Sequence, residues 1–351
     1  MTLPTSPLLP DPHGLLSTGD ALDQGITRRT LDALVRAGTL VRLRRGVYVD
    51  GVVWQGSDPR ERHLTRMRAA TRAARHPLVF GADSAAAAWG VPIDGYPDHV
   101  VVVDLWRGGG RSEPGVVRTA RAASTIAPVL VGDVVCTSLE RTVIDLVRGA
   151  PLAVAIPLLD WSMSERCPTP VDRSTLAHEA KEARCGTTTL RAIVLASGDS
   201  GSIGESRARV AIRALGFPAP QLQTRFVDAQ GEMFVDFFWP DADVVAEFDG
   251  KVKYTREEYT HGDPAEVVWR EKLREDRLRR LARAVVRLTS ADIHDSARLV
   301  AILKGAGLVP GRRGGSSSRP AGATTRANRA QLPPPRVRNG AVDRGGRRMR
   351  R

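Results

Sequence analysis

Residues 235–251 read VDFFWPDADVVAEFDGK, two β-favouring runs separated by Pro240 and an aspartate-rich turn. Such runs, divided by a turn sequence, predict an antiparallel β-hairpin. If Pro240 lies opposite Asp243, the register places Asp236 directly opposite Glu247 on the neighbouring strand. Directly opposed side chains lie about 5 Å apart at Cβ. The hairpin therefore brings two carboxylates close together.

The two faces of this hairpin differ in composition, because side chains alternate along a strand. One face is wholly apolar and is expected to be buried. Its residues are Val235, Phe237, Trp239, Val244, Ala246 and Phe248. The other face mixes charged with apolar side chains, so its carboxylates are expected to be partly buried. Its residues are Asp236, Glu247, Asp249 and Lys251, with Phe234, Phe238 and Val245.

Two ionised carboxylates at this separation repel each other, and burial strengthens the repulsion, unless a cation or a proton lies between them. Magnesium or manganese, held by carboxylates, water and substrate phosphates, is the usual solution. The alternative is that the acidic side chains diverge into solvent and that Lys251 neutralises them. The pattern leaves both interpretations open.

The same residues carry a family resemblance. Asp236, followed after ten residues by the Glu-Phe-Asp triplet at 247–249, resembles the PD-(D/E)XK nuclease superfamily. More narrowly, the hairpin sequence together with EKLREDRLRRLARAVVRLT (271–289) is similar to very-short-patch-repair-like endonuclease domains of unassigned function. The resemblance extends over roughly residues 201–303.

This resemblance implies a restriction-endonuclease-like α/β domain with a mixed sheet, a metal held by Asp236 and Glu247, and magnesium-dependent cleavage of DNA. The chain departs from the superfamily at the lysine position, which Asp249 fills. Lys251 lies two residues further on the same strand face, where it can stand in for that lysine. An aspartate cannot polarise the attacking water as a lysine does, so activity requires Lys251 or a second metal.

A third acid belongs to the helix predicted for residues 202–216. Glu205 lies on the helix stripe that carries three apolar residues and faces the core. In the superfamily a carboxylate from this helix often completes the metal shell, which makes Glu205 the third candidate ligand. The alternative is a capping box, in which Ser202 and Glu205 satisfy backbone N–H groups at the start of the helix.

The N-terminal part of the chain shows a winged helix-turn-helix pattern. After a shorter capped helix, Thr27 can cap a second helix that Gly38 ends. From Leu40 to Val49, apolar residues alternate with Arg42 and Arg44. Arg45 and Gly46 interrupt this run, as the turn of a two-stranded wing does. Modules of this kind place their second helix in the major groove of DNA.

Four arginines are the candidate DNA contacts: Arg28 and Arg29 begin the second helix, and Arg44 and Arg45 belong to the wing. The run from Gly25 through GTLVRLRRGVYV resembles the N-terminal domain of AbiEi-type antitoxins of type IV toxin–antitoxin systems. This resemblance implies DNA binding, with autoregulation as a further option, and makes a toxin a candidate partner. The alternative is a protein–protein module, which winged helices also form.

The chain is predicted to be a multidomain α/β protein. The predicted segments are a disordered start at 1–10, the winged helix at 11–57, a middle α/β domain at 58–196, the nuclease-like domain at 201–309 and a disordered basic tail at 310–351. The middle segment contains strands and amphipathic helices but no catalytic constellation, since Asp104 and Asp145 are isolated acids in the sequence.

Composition narrows the class of protein. Of 351 residues, 42% are hydrophobic, which suffices for several cores. Neither a membrane-spanning run nor a signal peptide is indicated, so a cytoplasmic protein is expected. Three cysteines without zinc-ligand spacing argue against disulfides and structural zinc. Residues 311–351 hold 12 Arg and one Asp and so supply most of the net charge of +13. Such a tail attracts polyanions without reading sequence, or simply keeps the chain soluble.

Two hypotheses follow from the sequence. In the first, the protein is a magnesium-dependent DNA endonuclease with its own DNA-binding domain. In the second, it is an antitoxin-like regulator whose nuclease fold is inactive. An enzyme acting on small molecules ranks last, because no P-loop or dinucleotide-binding fingerprint is present.

Overall fold

Three β-sheets organise the part of the chain that the structure describes. The computed structural model describes residues 9–104, 113–120, 127–250 and 264–311. The chain up to Arg312 forms one compact unit. Lys251 and nearly all of the two predicted disordered ends lie outside the described ranges. Within these ranges, the helices are too short or too polar to cross a membrane.

The first segment folds as a winged helix, as the sequence predicts. Its elements are β1 (Leu15–Ser17), α1 (Thr18–Asp23), α2 (Arg28–Arg36), β2 (Leu40–Arg44) and β3 (Val47–Asp50). Ser17 caps α1 in a capping box with Asp20, and Thr27 caps α2. The sheet is antiparallel, in the order β1-β3-β2. Strand β1, which pairs with β3, was not predicted from the sequence.

The middle segment combines a five-stranded sheet with helices. Its helices are α3 (Gly51–Gly56), α4 (Pro59–Ala73), α5 (Ala82–Trp89), α6 (Leu139–Val147), α7 (Leu152–Met163), α8 (Arg173–Glu182) and α9 (Thr187–Leu195). Its strands are β4 (Val79–Phe80), β5 (Val100–Asp104), β6 (Val116–Ala120), β7 (Val129–Val131) and β8 (Val134–Cys136), in the order β6-β5-β4-β8-β7. The strands and amphipathic helices predicted for this segment are both present.

The last segment places helices around a mixed four-stranded sheet. Its elements are α10 (Ile203–Ala214), β9 (Gln221–Asp228), β10 (Gly231–Trp239), β11 (Val244–Asp249), α11 (Pro264–Leu281), β12 (Ala284–Thr289), α12 (Ser290–His294) and α13 (Ser296–Gly305). The order is β12-β11-β10-β9, with β11 and β12 parallel and the other pairs antiparallel. Asp295 separates α12 from α13 and caps the start of α13.

The predicted register of the hairpin is confirmed for the three pairs next to the turn, but the ladder does not extend to the predicted pair of Asp236 and Glu247. β10 and β11 pair with Phe237 opposite Ala246 and Trp239 opposite Val244. All six residues of the predicted apolar face are buried. Five of them join one core cluster, but Val235 packs in a second cluster that includes Leu278 of α11, so the prediction of a single face was wrong for Val235.

The strand is irregular at Asp236, which explains the position of Val235. Asp236 is paired in neither ladder: β10 pairs with β9 at Val235 and again at Phe237, and with β11 only from Phe237 onward. Its neighbour on β9, Gln223, has a left-handed φ of 45°. Alternation along β10 is therefore interrupted where the candidate acidic site begins.

Candidate functional site

Helix α2 presents two candidate arginines to solvent. Thr27 accepts a hydrogen bond from the backbone N–H of Thr30 at 3.2 Å, which fixes the start of the helix. Leu31 and Leu34 are buried in the small core of the winged helix. With that stripe turned inward, Arg28 and Arg29 are exposed on the first turn. Backbone N–H groups and two cationic side chains share this end of the helix, an arrangement suited to phosphate groups.

The wing differs from the prediction at one of its two arginines. Arg45 is exposed at the turn, where Gly46 has a φ of 78°. Arg44 was predicted to contact phosphates beside Arg45, but only 14% of its side chain is exposed, and its Nη2 lies 3.2 Å from a carboxylate oxygen of Glu113. A register shift between Arg42 and Arg44 turns the side chain of Arg44 away from that of Arg42.

Arg42 is the wing residue that the prediction overlooked. It is exposed, and its Nε donates to the backbone oxygen of Arg44 at 3.4 Å. Strict alternation would have placed both arginines on one face. Because of the bulge, Arg42 is exposed to solvent, whereas Arg44 forms an ion pair with Glu113.

Helix α4 holds the winged helix in a fixed orientation. Arg72 of α4 lies 3.2 Å from Asp11 and 2.5 Å from Asp20. Hydrogen bonds from Ser17, together with Arg72, lower the pKa of the Asp20 carboxyl. Ala69 of α4 also joins the buried cluster on the outer face of the small sheet. The exposed arginines of α2 and the wing thus belong to a rigid unit.

Asp236, the first acid of the predicted nuclease site, accepts two hydrogen bonds. Gln223 Nε2 donates to its Oδ1 at 3.0 Å, and the backbone N–H of Phe248 donates to its Oδ2 at 2.8 Å. The second bond crosses from β10 to β11 at the point where the regular ladder stops. The carboxylate therefore takes the place of a backbone acceptor in the sheet.

Glu205 lies close to Asp236 and is buried, with 6% of the residue exposed. Gln223 Nε2 also donates to Glu205 Oε2 at 3.1 Å, so one amide group bridges the two acids. Burial, and secondly the negative charge of Asp236, raise the pKa of the Glu205 carboxyl.

Helix capping accounts for the other contacts of Glu205. Ser202 accepts a hydrogen bond from the Glu205 backbone N–H at 3.1 Å. The Glu205 carboxylate accepts from the N–H of Gly201 at 2.7 Å, one residue earlier than a capping box requires. The side chain thus supports the helix start and faces Asp236 at the same time.

Glu247 is neutralised by the long helix α11. It is 9% exposed, and Arg274 Nη1 lies 2.5 Å from its Oε1. Arg274 also donates to the backbone oxygen of Phe234 at 2.6 Å, which ties α11 to β10. Asp249 lies at the end of β11, opposite Thr289 of β12. Lys251, the predicted substitute for the catalytic lysine, lies outside the described residues.

The acids do not fit a magnesium or manganese ion in this arrangement. Asp236 and Glu205 are held by Gln223 and by backbone N–H groups, and Glu247 by Arg274. Within the described ranges, no three His, Cys, Asp or Glu side chains are grouped so that they could hold a metal. All three acids are thus engaged by donors of the protein itself.

Gln223 and Arg274 are the residues of this site that sequence reasoning did not assign to it. Arg274 belongs to a basic helix face that also suits phosphates or solvent, so its pairing depends on how α11 packs. Gln223 gives no local signal, because its role depends on a backbone irregularity in β9. Neither can be recognised by spacing from Asp236.

A comparison with known protein families agrees with the description of the N-terminal winged helix. Residues 7–49 match the family model described as "Transcriptional regulator, AbiEi antitoxin". This match covers the winged helix and supports a DNA-binding regulator.

Two other comparisons add little. No curated protein matches the chain. One solved structure, the RV2827C protein from Mycobacterium tuberculosis, aligns with 16% sequence identity over 61% of this chain and 83% of that chain, with a TM-score of 0.34. A likeness of that size supports no conclusion about fold or function.

Proposed function

We propose that the protein is a DNA-binding transcriptional regulator of the antitoxin type, which binds duplex DNA through α2 and the wing. The observation that carries the proposal is the exposure of Arg28, Arg29 and Arg45 on a winged helix. Among the described residues these three arginines have no ion-pair partner, whereas Arg44 and Arg72 are engaged within the protein. Unpaired cations on a rigid unit are available to phosphates and base edges.

The double substitution Arg28→Ala/Arg29→Ala is expected to weaken binding to the protein's own promoter about tenfold or more, because it removes two cationic contacts. The slope of log affinity against log salt concentration should become shallower by about 2. Fluorescence anisotropy with a labelled promoter duplex at several salt concentrations measures both quantities.

The matched control is Arg191→Ala/Arg213→Ala, which removes the same charge from exposed positions on α9 and α10. It should leave affinity nearly unchanged. If both double variants weaken binding equally, affinity depends on the overall positive charge, most of which the basic tail supplies. The winged helix would then not be the DNA-binding surface.

A toxin partner is the narrower part of this proposal, and the match of residues 7–49 supports it. Expression of the gene adjacent to this one should arrest growth, and co-expression of this chain should relieve the arrest. No arrest, or no relief, would leave a promoter-binding regulator without an antitoxin role.

DNA cleavage by residues 201–309 is a second candidate function. The hairpin favours it, since Asp236 and Glu247 are the neighbours in sequence of Phe237 and Ala246, the pair of β10 and β11 farthest from the turn. Cleavage would require Gln223 and Arg274 to release the acids that they now hold. The regulator ranks first because it needs no such rearrangement.

Plasmid cleavage distinguishes the two functions. If the second candidate holds, the full chain should nick plasmid with magnesium or manganese but not with a chelator. Glu247→Gln should abolish nicking and keep promoter affinity, and Lys251→Ala should do so only if that lysine is catalytic. Nicking that persists in Glu247→Gln would point to a contaminant. If the protein binds its promoter but shows no metal-dependent nicking, the cleavage function is rejected and the regulator function is retained.

A further inference from the structure

A cavity of about 930 Å³ lies between the middle segment and helices α10 and α12. Its long walls come from α7 and α10, and the loop at residues 92–97 forms its rim. The volume is within the range of small-molecule binding sites. The lining contains none of the candidate DNA contacts or acids described above, so the cavity is separate from both sites.

Most of the cavity wall is apolar, but its acceptors include one half-buried carboxylate and one backbone carbonyl at an exposed position of α7. Asp83, in the first turn of α5, is half-buried, and no described residue donates a hydrogen bond to its carboxylate. Pro157 lies inside α7 and has no N–H, so it cannot donate to the carbonyl of Ala153, four residues earlier. Asp83, Ala153 and Pro157 all line the cavity.

Of the two carboxylates that line the cavity, Asp94 pairs with an arginine and Asp83 has no ion-pair partner among the described residues, while His294 of α12 also belongs to the lining. Arg207 lies on the α10 side, but its Nη2 is 2.5 Å from Asp94 of the opposite rim, so its charge is already compensated. Burial raises the pKa of the Asp83 carboxyl, and the charge of His99 lowers it by a smaller amount. A ligand that brings a positive charge to Asp83 would relieve the cost of burying that carboxylate.

We propose that this cavity binds a small apolar molecule carrying a protonated amine. The ammonium group donates to the Asp83 carboxylate. The apolar body lies against Leu146, Pro157 and Leu158. This inference is independent of the proposed regulator function, since it uses none of the residues of the winged helix.

Calorimetric titration of the full chain with 2-phenylethylamine tests the proposal, with 2-phenylethanol as the neutral analogue and 4-phenylbutylamine as the longer amine. We expect saturable binding of one equivalent of amine, about tenfold tighter than that of the alcohol. Asp83→Asn should keep the shape of the site and reduce amine affinity to that of the alcohol.

A second pair of variants tests the location. Val154 lines the cavity and is 51% exposed, so Val154→Trp should block the cavity without disturbing the core. Val194→Trp, at an exposed position of α9 outside the cavity, is the matched control and should bind like wild type. The proposal is overturned if neither amine binds saturably, if the alcohol binds as well as the amine, or if Asp83→Asn leaves amine affinity unchanged.

Discussion

Replacing Arg209 by methionine is expected to lower the free energy of unfolding by about 3–5 kcal/mol, because the change leaves a buried carboxylate without its counter-ion. Asp160 of α7 is fully buried, and Arg209 Nη2 lies 2.9 and 2.7 Å from its two oxygens. The backbone N–H of Ser197 also donates to Asp160, at 2.7 Å. Methionine fills similar space but supplies neither charge nor donor.

The pH dependence of this loss has a defined sign. Burial raises the pKa of Asp160, whereas Arg209 acts against that effect by its charge and its hydrogen bonds. Without the arginine the folded-state pKa rises further above the unfolded value. A raised carboxyl pKa contributes stability at low pH that is lost as pH increases through the folded pKa. Arg209→Met should therefore be less destabilising in acidic buffer than at neutral pH.

Urea unfolding followed by circular dichroism measures the effect. Arg213→Met on the same helix, at an exposed position, is the matched control and should change stability little. Asp160→Asn combined with Arg209→Met should recover part of the loss, because the amide can be buried neutral while its oxygen still accepts from Ser197. If Arg209→Met alone is as stable as Arg213→Met, the ion pair of Asp160 and Arg209 does not stabilise the fold.

This pair illustrates which parts of the structure the sequence could not predict. The acid and the arginine lie 49 positions apart, on helices predicted to belong to different segments. An aspartate within the apolar run of α7 indicates only that a partner must exist. Which of the many arginines fills that role depends on how α7 packs against α10.

Local patterns, by contrast, predicted local structure well. The register of β10 and β11 follows from alternation and from the turn at Pro240, so it was predicted correctly. The cap at Thr27 was likewise predicted, because a cap depends on a few neighbouring residues.

Predictions failed where a strand departs from ideal alternation. The bulge between Arg42 and Arg44 redirects one wing arginine, and the interruption at Asp236 redirects Val235. Both irregularities lie beside candidate functional residues. Bulges often re-aim side chains at such places, and a single sequence gives no period that reveals them.

The stability of the middle segment is expected to fall by about 3 kcal/mol as pH decreases from neutral to strongly acidic, through protonation of His63 alone. His63 is fully buried, and burial lowers its pKa from 6.5 to about 4. Its Nδ1 lies 3.1 Å from the carbonyl oxygen of Pro97, and its Nε2 lies 2.9 Å from Ser84 Oγ. The carbonyl of Pro97 can only accept, so Nδ1 carries the proton of the neutral ring, and Nε2 then accepts from the Ser84 hydroxyl.

The sign follows from the depressed pKa. Below pH 6.5 the unfolded chain takes up a proton that folded His63 binds only near pH 4, so stability is lost as pH falls through that interval. His63→Gln should remove this component from urea unfolding measured across the interval, at the cost of a lower stability at neutral pH. His178→Gln, at an exposed position of α8, should retain it. The same pH dependence in His63→Gln as in His178→Gln would show that the buried imidazole is not the group that titrates.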